Sequence, residues 1–289
     1  MHFQNTSQMT FNKSLCLFWL DTKKQMRVIV LCVLCALIAY THARITVDVS
    51  MDQAGLECIW GEWSDDEIAG WTVTGDKPHH LIVYATKLDA PPDGTGCPKQ
   101  TKDIELVYVW GGEERFEYGE RTVCKITPGT RYYVEVHNHG NDPLKVRLES
   151  FESLKVPKRQ AWIVVSALRS GRVWPGETKS FKTPKCVSGG SIDRLRMHSH
   201  FALRQELFVE NQNVLDSKQG DSVNKWYEVS GLNNQAFYAR CTYDKDSAIG
   251  ITWCDGCQKE MCNAYAQVSA PFDRLIPSLQ TVCVGPGHQ

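Results

Sequence analysis

The sequence predicts an all-β fold made of two β-sandwich domains. Short runs in which apolar and polar residues alternate recur along the chain, and such alternation places one set of side chains in a core and the other in water. Turn-forming residues separate the runs, as at 91–94 and 174–177. Stretches with helical periodicity are scarce. Many short strands with turns between them are typical of sandwiches and barrels.

The individual strands can be placed along the chain. Alternation is clearest at 45–49, 132–136 and 144–148. Further strand candidates lie at 79–87, 104–110, 161–168, 206–210 and 235–243. Because turn-forming residues fill 138–143, we expect the strands at 132–136 and 144–148 to pair as a hairpin. The best helix candidate is 257–268.

Residues 1–43 have the pattern of a secretory presequence. Basic residues precede an apolar run at 28–40, and small residues follow it up to Ala43. This pattern predicts cleavage after Ala43 and a secreted, extracellular protein. The apolar run is shorter than the ~20 residues that a membrane-spanning helix needs, and a signal retained as an anchor is the alternative. Met26 stands where a signal peptide normally starts, which leaves open whether residues 1–25 are translated.

The rest of the chain divides into two predicted domains. Residues 44–150 form an N-terminal β-sandwich, and residues 151–289 form a C-terminal β domain after a break in the pattern at 154–158. The segment 241–289 is a cysteine-rich tail of the second domain. The formal net charge of −1 provides no broad positive field. We therefore expect no nucleic-acid partner.

The cysteines that follow the presequence are expected to form disulfides. Thiols at this density are normally paired in an oxidising compartment, so their odd number predicts four bridges and one unpaired cysteine. The unpaired cysteine could join two copies in a disulfide-linked dimer. Spacing does not determine the connectivity. The candidates are Cys58, Cys97, Cys124, Cys186, Cys241, Cys254, Cys257, Cys262 and Cys283.

Two segments of the first predicted domain resemble a known family. The segment 126–132, Ile-Thr-Pro-Gly-Thr-Arg-Tyr, resembles the tyrosine-bearing turn and strand of fibronectin type III modules. The segment 56–60 is similar to the early strand of these modules with its core tryptophan. The resemblance covers 45–150 and implies a sandwich in which Tyr132 packs its ring and bonds its hydroxyl to backbone. For both domains, an immunoglobulin-like or a jelly-roll-like sandwich stays open.

A second resemblance concerns the cysteine-rich tail. The segment 253–257, Trp-Cys-Asp-Gly-Cys, resembles the active-site motif of thioredoxins. That resemblance implies a reactive Cys254 thiolate at a helix N-terminus. The crowding of Cys241, Cys262 and Cys283 around the motif favours a structural bridge instead.

Two histidine pairs have the spacing of metal ligands on a strand. They are His137-x-His139 and His198-x-His200, and side chains two residues apart on a strand point to the same side. Imidazole binds zinc, copper and iron. The second pair, followed by Glu206, resembles the first motif of cupins, which implies a metal-dependent enzyme. We favour the alternative, in which the first pair lies in a polar turn and the second on a solvated face, and we expect no cofactor.

The remaining observations favour binding over catalysis. The chain contains no nucleophile-elbow, zinc-protease, P-loop or dinucleotide-binding motif. Trp63 and Trp174 lie in turn-like settings and are the candidate surface-binding rings. We expect a secreted, disulfide-stabilised binding or structural protein without catalytic activity, whose partner is an extracellular macromolecule, a glycan or a membrane surface. The alternatives are a membrane-binding β-sandwich cytolysin and a metal-dependent, cupin-like enzyme at His198, His200 and Glu206.

Overall fold

The described part of the chain is entirely β. The computed structural model describes residues 45–63, 67–91, 96–98, 104–126, 129–218, 225–244, 246, 249–252, 260–272 and 282–286. These residues form 21 strands and no helix, which confirms the all-β, sandwich-class prediction. They accordingly include no helix of the length and apolarity that crossing a membrane requires. The presequence, Cys254 and Cys257 lie outside the described residues.

The strands form four sheets, which we number from the N-terminus. The first sheet runs β1 (Thr46–Met51), β10 (Leu144–Phe151), β4 (Gly70–Gly75) and β7 (Arg115–Glu117). The second sheet runs β2 (Gly55–Glu62), β9 (Arg131–Asn138), β5 (His80–Thr86) and β6 (Ile104–Val109).

The other two sheets come mainly from the second half of the chain. The third sheet runs β17 (Tyr227–Asn233), β14 (Ser191–Ser199), β20 (Cys262–Pro271), β11 (Arg159–Val173), β8 (Thr122–Lys125) and β3 (Glu67–Ile68), with β19 (Ile249–Thr252) and β21 (Val282–Pro286) also paired to β11. The fourth sheet runs β12 (Lys179–Lys182), β18 (Ala236–Tyr243), β15 (Arg204–Val209) and β16 (Gln212–Lys218), with β13 (Cys186–Val187) paired to β18.

Three apolar cores lie between the sheets. One core joins the first and second sheets, as where Trp71 and Val83 share a cluster. Another joins the other face of the second sheet to β11 and β20 of the third sheet. The last lies between the third and fourth sheets. The second and third sheets are therefore covered on both faces, and this arrangement positions the functional site described below.

All eight strand candidates are confirmed, but the pairing expected for two of them is wrong. The strand at 132–136 became β9, which pairs with β2 and β5, whereas 144–148 became β10, which pairs with β1 and β4. The turn at 138–143 therefore carries the chain from the second sheet to the first rather than closing a hairpin. A turn-rich loop of this length permits either a hairpin or a crossing to another sheet. Core packing between the sheets determines which of the two connections forms.

The helix candidate is also wrong where the structure describes it. Residues 262–268 belong to β20, a strand buried along nearly its whole length. Alanines and Val268 face the core against the fourth sheet, while Tyr265 faces the core against the second sheet. A strand covered on both faces does not alternate apolar with polar residues, so its sequence loses the period-two signal.

Three intramolecular disulfides connect the described cysteines. They are Cys58–Cys97, Cys186–Cys283 and Cys241–Cys262. Among the described residues the unpaired thiol is Cys124, which is buried, and burial raises its pKa to about 12. The cystines are compatible with an extracellular location. A bridge between Cys254 and Cys257, and a disulfide-linked dimer, stay predictions.

The two predicted domains share a sheet. Strand β8, from the first predicted domain, pairs in parallel with β11, from the second, so that Cys124 lies opposite Ala161. Both residues belong to the core between the first and second sheets. The described residues belong to one compact unit, Ala43–Gln289. A domain boundary near residue 150 stays a prediction.

Candidate metal centre

All six histidines of the described residues come together at the ends of three strands. They are His79 and His80 at the start of β5, His137 and His139 at the end of β9, and His198 and His200 at the end of β14. The antiparallel register of β5 and β9 places His80 opposite His137. The backbone N–H of His79 donates to the backbone carbonyl of His137 at 2.9 Å. The second sheet thus supplies four rings and the third sheet two.

Four of the six rings can reach a common point. Each of His79, His80, His198 and His200 offers a ring nitrogen that lies within 4.8 Å of the others. The Nε2 atom of His200 lies 3.1 Å from that of His79 and 3.3 Å from that of His80. Nitrogens at such separations can surround one ion bound at the 2.0–2.1 Å that zinc–imidazole bonds require.

The other two rings pack against this group. The His137 ring stacks on that of His80 with centroids 5.6 Å apart, and the His139 ring stacks on that of His79 at 3.8 Å. His137 is buried, whereas His139 is exposed. The six imidazoles therefore form a continuous layer from the interior of the protein to water.

Burial favours the neutral form of His79, His80 and His137. Loss of hydration, followed by the neighbouring rings, lowers the pKa of His79 to about 3 and that of His137 to about 4. The same causes hold the pKa of His80 well below its usual value, and the buried Arg196 guanidinium adds repulsion at His79 and His80. Neutral imidazole is the form that binds a metal ion, so the rings are ready as ligands near neutral pH.

A buried carboxylate holds the backbone that carries His200. Glu260 is fully buried, and it accepts hydrogen bonds from the backbone N–H groups of His200 at 3.1 Å and Phe201 at 2.8 Å. The Tyr243 hydroxyl donates to it at 3.1 Å. Burial raises the Glu260 pKa to about 7. Glu260 thus fixes the backbone that carries the His200 ring.

A cleft reaches the centre from outside. It has a volume of about 900 Å³, and His79 lies in its wall. Three aromatic side chains line it, Trp110, Phe116 and Trp226, and the Phe116 and Trp226 rings are 5.9 Å apart. The cleft therefore offers aromatic surface, together with seven charged side chains, beside a candidate metal ligand.

The structure separates the residues of the cupin-like motif. His198 and His200 lie among the four imidazoles that share a common point, and His198, with 1% of its surface exposed, is not on a solvated face. His137 likewise is buried rather than placed in a polar turn. Glu206 instead binds the Arg240 guanidinium, with oxygen–nitrogen distances of 2.6 and 2.7 Å. Of the described residues, the third and fourth ring donors are His79 and His80, not Glu206.

The two candidate surface tryptophans have different places. Trp63 is only 2% exposed, packs against Trp71, and donates its ring N–H to the Arg131 carbonyl. The prediction that it forms a surface platform is wrong, because its turn lies over the core between the first and second sheets. Trp174 is 52% exposed, and the Arg172 guanidinium lies 4.1 Å from the centre of its ring.

Sequence reasoning missed His79 and His80 as ligands. The available signal was the repetition of histidine pairs, one adjacent and two spaced by one residue, of which the pairs at 79–80 and 137–139 lie at the ends of strand candidates. Each pair alone is commonplace, and only their convergence is informative. A second group of donors, Cys58, Cys97 and Glu135, holds a disulfide, whose sulfur atoms are not thiolate ligands.

The fold and the site define an all-β sandwich protein with an imidazole centre between two of its sheets. No protein-family model matches the chain, and a search of curated proteins finds no relative. The functional argument therefore rests on the geometry of the centre.

Proposed function

We propose that this protein binds a transition-metal ion through His79, His80, His198 and His200. The observation that carries the proposal is that these four rings bring their nitrogens within 4.8 Å of one another. Two of the rings lie at the start of β5 and two at the end of β14, so that nitrogens from two sheets converge. The lowered pKa values of His79 and His80 add support, since protons compete weakly there with a metal ion.

The donor set favours copper or zinc. Imidazole suits zinc, copper, iron and nickel, whereas calcium and magnesium prefer oxygen donors. Among divalent ions, copper binds such sites most tightly. Zinc accepts four ligands in a tetrahedron, which four imidazoles can provide.

The proposed setting is extracellular. The presequence pattern predicts export, and the disulfides Cys186–Cys283 and Cys241–Cys262 support an oxidising compartment. N-terminal sequencing of the protein from the medium of expressing cells should return a start at Arg44. An intact N-terminus on a membrane-bound product would instead indicate the retained anchor.

Elemental analysis tests the metal proposal directly. Secreted protein purified without chelator should contain close to one equivalent of copper or zinc, or take it up from a defined metal solution. The double variant His80→Gln/His198→Gln should lose it, because two of four ligands are gone. Glu206→Gln is the matched control, and it should keep the metal because Glu206 pairs with Arg240.

Two results would contradict the proposal. One is a wild-type protein that takes up neither copper nor zinc after incubation with each ion. The other is metal content that depends on Glu206 and not on His80, which would favour the cupin-like set. Circular dichroism of each variant ensures that only folded protein is compared.

A second candidate function is catalysis by the bound metal on a substrate in the cleft. The observation that favours it is the aromatic cleft, which has His79 in its wall. A compound that binds there should change both tryptophan fluorescence and the electronic spectrum of the copper-loaded protein. Trp226→Phe should weaken the fluorescence response. Ligands that bind in the cleft and leave the metal spectrum unchanged would argue for a metal-binding protein without this activity.

Binding of a macromolecule, a glycan or a membrane surface also stays a prediction. Its support is the exposed Trp174 ring with the Arg172 guanidinium against it, a pair suited to sugar or headgroup contact. Liposome leakage by the purified protein would favour the cytolysin alternative, and its absence across several lipid mixtures would remove that alternative.

A further inference from the structure

The centre contains more imidazoles than one ion uses. The four mutually close rings already satisfy a tetrahedral ion, which leaves His137 and His139. His137 is buried behind His80. His139 alone of these two contacts both water and the ring of a candidate ligand, His79.

The stacking geometry excludes His139 as a resident ligand in the observed arrangement. Its ring lies 3.8 Å from that of His79, with 25° between the ring planes. The lone pair of an imidazole nitrogen lies in the ring plane, so two nearly parallel stacked rings do not converge on one ion. His139 therefore lies beside the centre and outside its ligand set.

The backbone around His139 is fixed in this place. The Asn138 side chain accepts a hydrogen bond from the Gly140 N–H at 3.0 Å and donates to the Asp142 carbonyl at 2.9 Å. These bonds hold the turn that presents His139 to water, and its exposed ring contacts both the solvent and the His79 ring. A side chain of this kind can alternate between the stack and the solvent.

An ion that enters the centre has to exchange its water ligands for buried nitrogens. His198 and His80 are nearly inaccessible, so the first exchange takes place on the solvent side of the centre, where His79 and His200 are half-buried and His139 is the most exposed ring, and a buried metal site needs such an entry path. We propose that His139 is the uptake ligand of the centre: it binds a copper or zinc ion from solvent and transfers it to His79 without being a ligand of the final complex. This inference rests on the metal site proposed above.

The kinetics of metal uptake test this role. The metal-free, full mature protein is mixed with Zn²⁺ or Cu²⁺ in a stopped-flow instrument, and tryptophan fluorescence or a competing dye reports uptake. His139→Phe keeps a ring in the stack and removes both nitrogens. We expect the uptake rate constant to fall about ten-fold or more, which corresponds to ~1.4 kcal/mol or more of activation free energy.

The equilibrium provides the second readout. Because His139 is absent from the final complex, stoichiometry and affinity should not change in His139→Phe, and the release rate should fall by the same factor as the uptake rate. His139→Ala, which also removes the stack, should load as slowly as His139→Phe.

Unchanged rates in His139→Phe would overturn the inference, and so would a reduced stoichiometry or affinity, which would make His139 a resident ligand. If the wild-type protein binds neither ion, the proposed function itself is contradicted. If the wild-type protein forms the complex and His139→Phe takes up metal at the same rate, only this inference is contradicted.

Discussion

At the scale of single residues, the geometry of the proposed metal centre depends on the groups that position the imidazoles as well as on the imidazoles themselves. Of the four proposed ligands, His80 and His198 lie within strands, His79 precedes β5, and His200 follows the last residue of β14. Its backbone is tied instead to the Glu260 carboxylate. Partners that orient metal ligands typically contribute 10–100-fold to affinity, so Glu260 is a positioning residue for the proposed site.

Glu260→Gln should weaken metal binding by about 10–100-fold without changing its stoichiometry. The amide keeps the size of the side chain but has one acceptor oxygen for two backbone N–H donors and Tyr243. Titration against a chelator of known affinity measures the effect, and the electronic spectrum of the copper-loaded variant should shift because His200 moves. Glu149→Gln, at an exposed ion pair with Arg147, is the control. Equal affinities in the two variants would contradict this role.

Trp63→Ala should destabilise the protein by about 3–5 kcal/mol, because it empties a core position. Trp174→Ala should change the free energy of unfolding by less than about 0.5 kcal/mol, as is usual for surface sites. Chemical denaturation of both variants measures the difference. A large loss at Trp174 would show that its contact with Arg172 is structural.

At the scale of elements, the positions of eight strands followed from the sequence, whereas their partners and the strand β20 did not. The clear alternation of β1 and β10 reflects one face in a core and one in water. β11 and β20 are buried on both faces, so their residues carry little information about which neighbour they face. The choice between a hairpin and a sheet crossing after β9 likewise depends on packing at a distance.

The two disulfides of the second half should differ in their stabilising effect. Both join the third sheet to the fourth, but Cys186–Cys283 closes a separation of 97 residues and Cys241–Cys262 one of 21. Loop-closure entropy in the unfolded chain predicts losses of about 5 and about 3 kcal/mol when each pair is replaced by alanines. Denaturation of the two double variants measures the order. A larger loss for the shorter loop would indicate that packing of the buried sulfurs outweighs chain entropy.

At the scale of the whole molecule, the buried histidines make the free energy of unfolding depend on pH. Where the second sheet packs against the third, burial favours the neutral form of His79, His80 and His137. Protonation of His79 or His80 places a charge among neighbouring imidazoles and near the Arg196 guanidinium. The metal-free protein should therefore tolerate acid poorly.

Metal-free protein should lose about 1–3 kcal/mol of unfolding free energy between pH 7.5 and 5.5. His79 and His137 have folded pKa values of about 3 and about 4, below the unfolded value near 6.5, so the unfolded chain binds more protons as pH falls through this window. His79, which is partly in water, contributes less than its shift suggests. Glu260, with its raised pKa of about 7, acts in the opposite direction.

Urea denaturation at several pH values measures this dependence. His137→Phe removes one titrating ring and should show a shallower loss. A metal-free protein that becomes more stable on acidification over this window would contradict the expected sign, and would indicate that Glu260 outweighs the histidines.

The sequence by itself determined the all-β class, the positions of the confirmed strands and the pairing of cysteines as disulfides, because alternation and cysteine number are local or compositional properties. Only the tertiary structure decided which strands are neighbours and which histidines meet. His79 and His200 are 121 residues apart in the chain and 3.1 Å apart at their Nε2 atoms. Their meeting follows from the packing of the second sheet against the third, and that packing is a property of the whole core rather than of any motif.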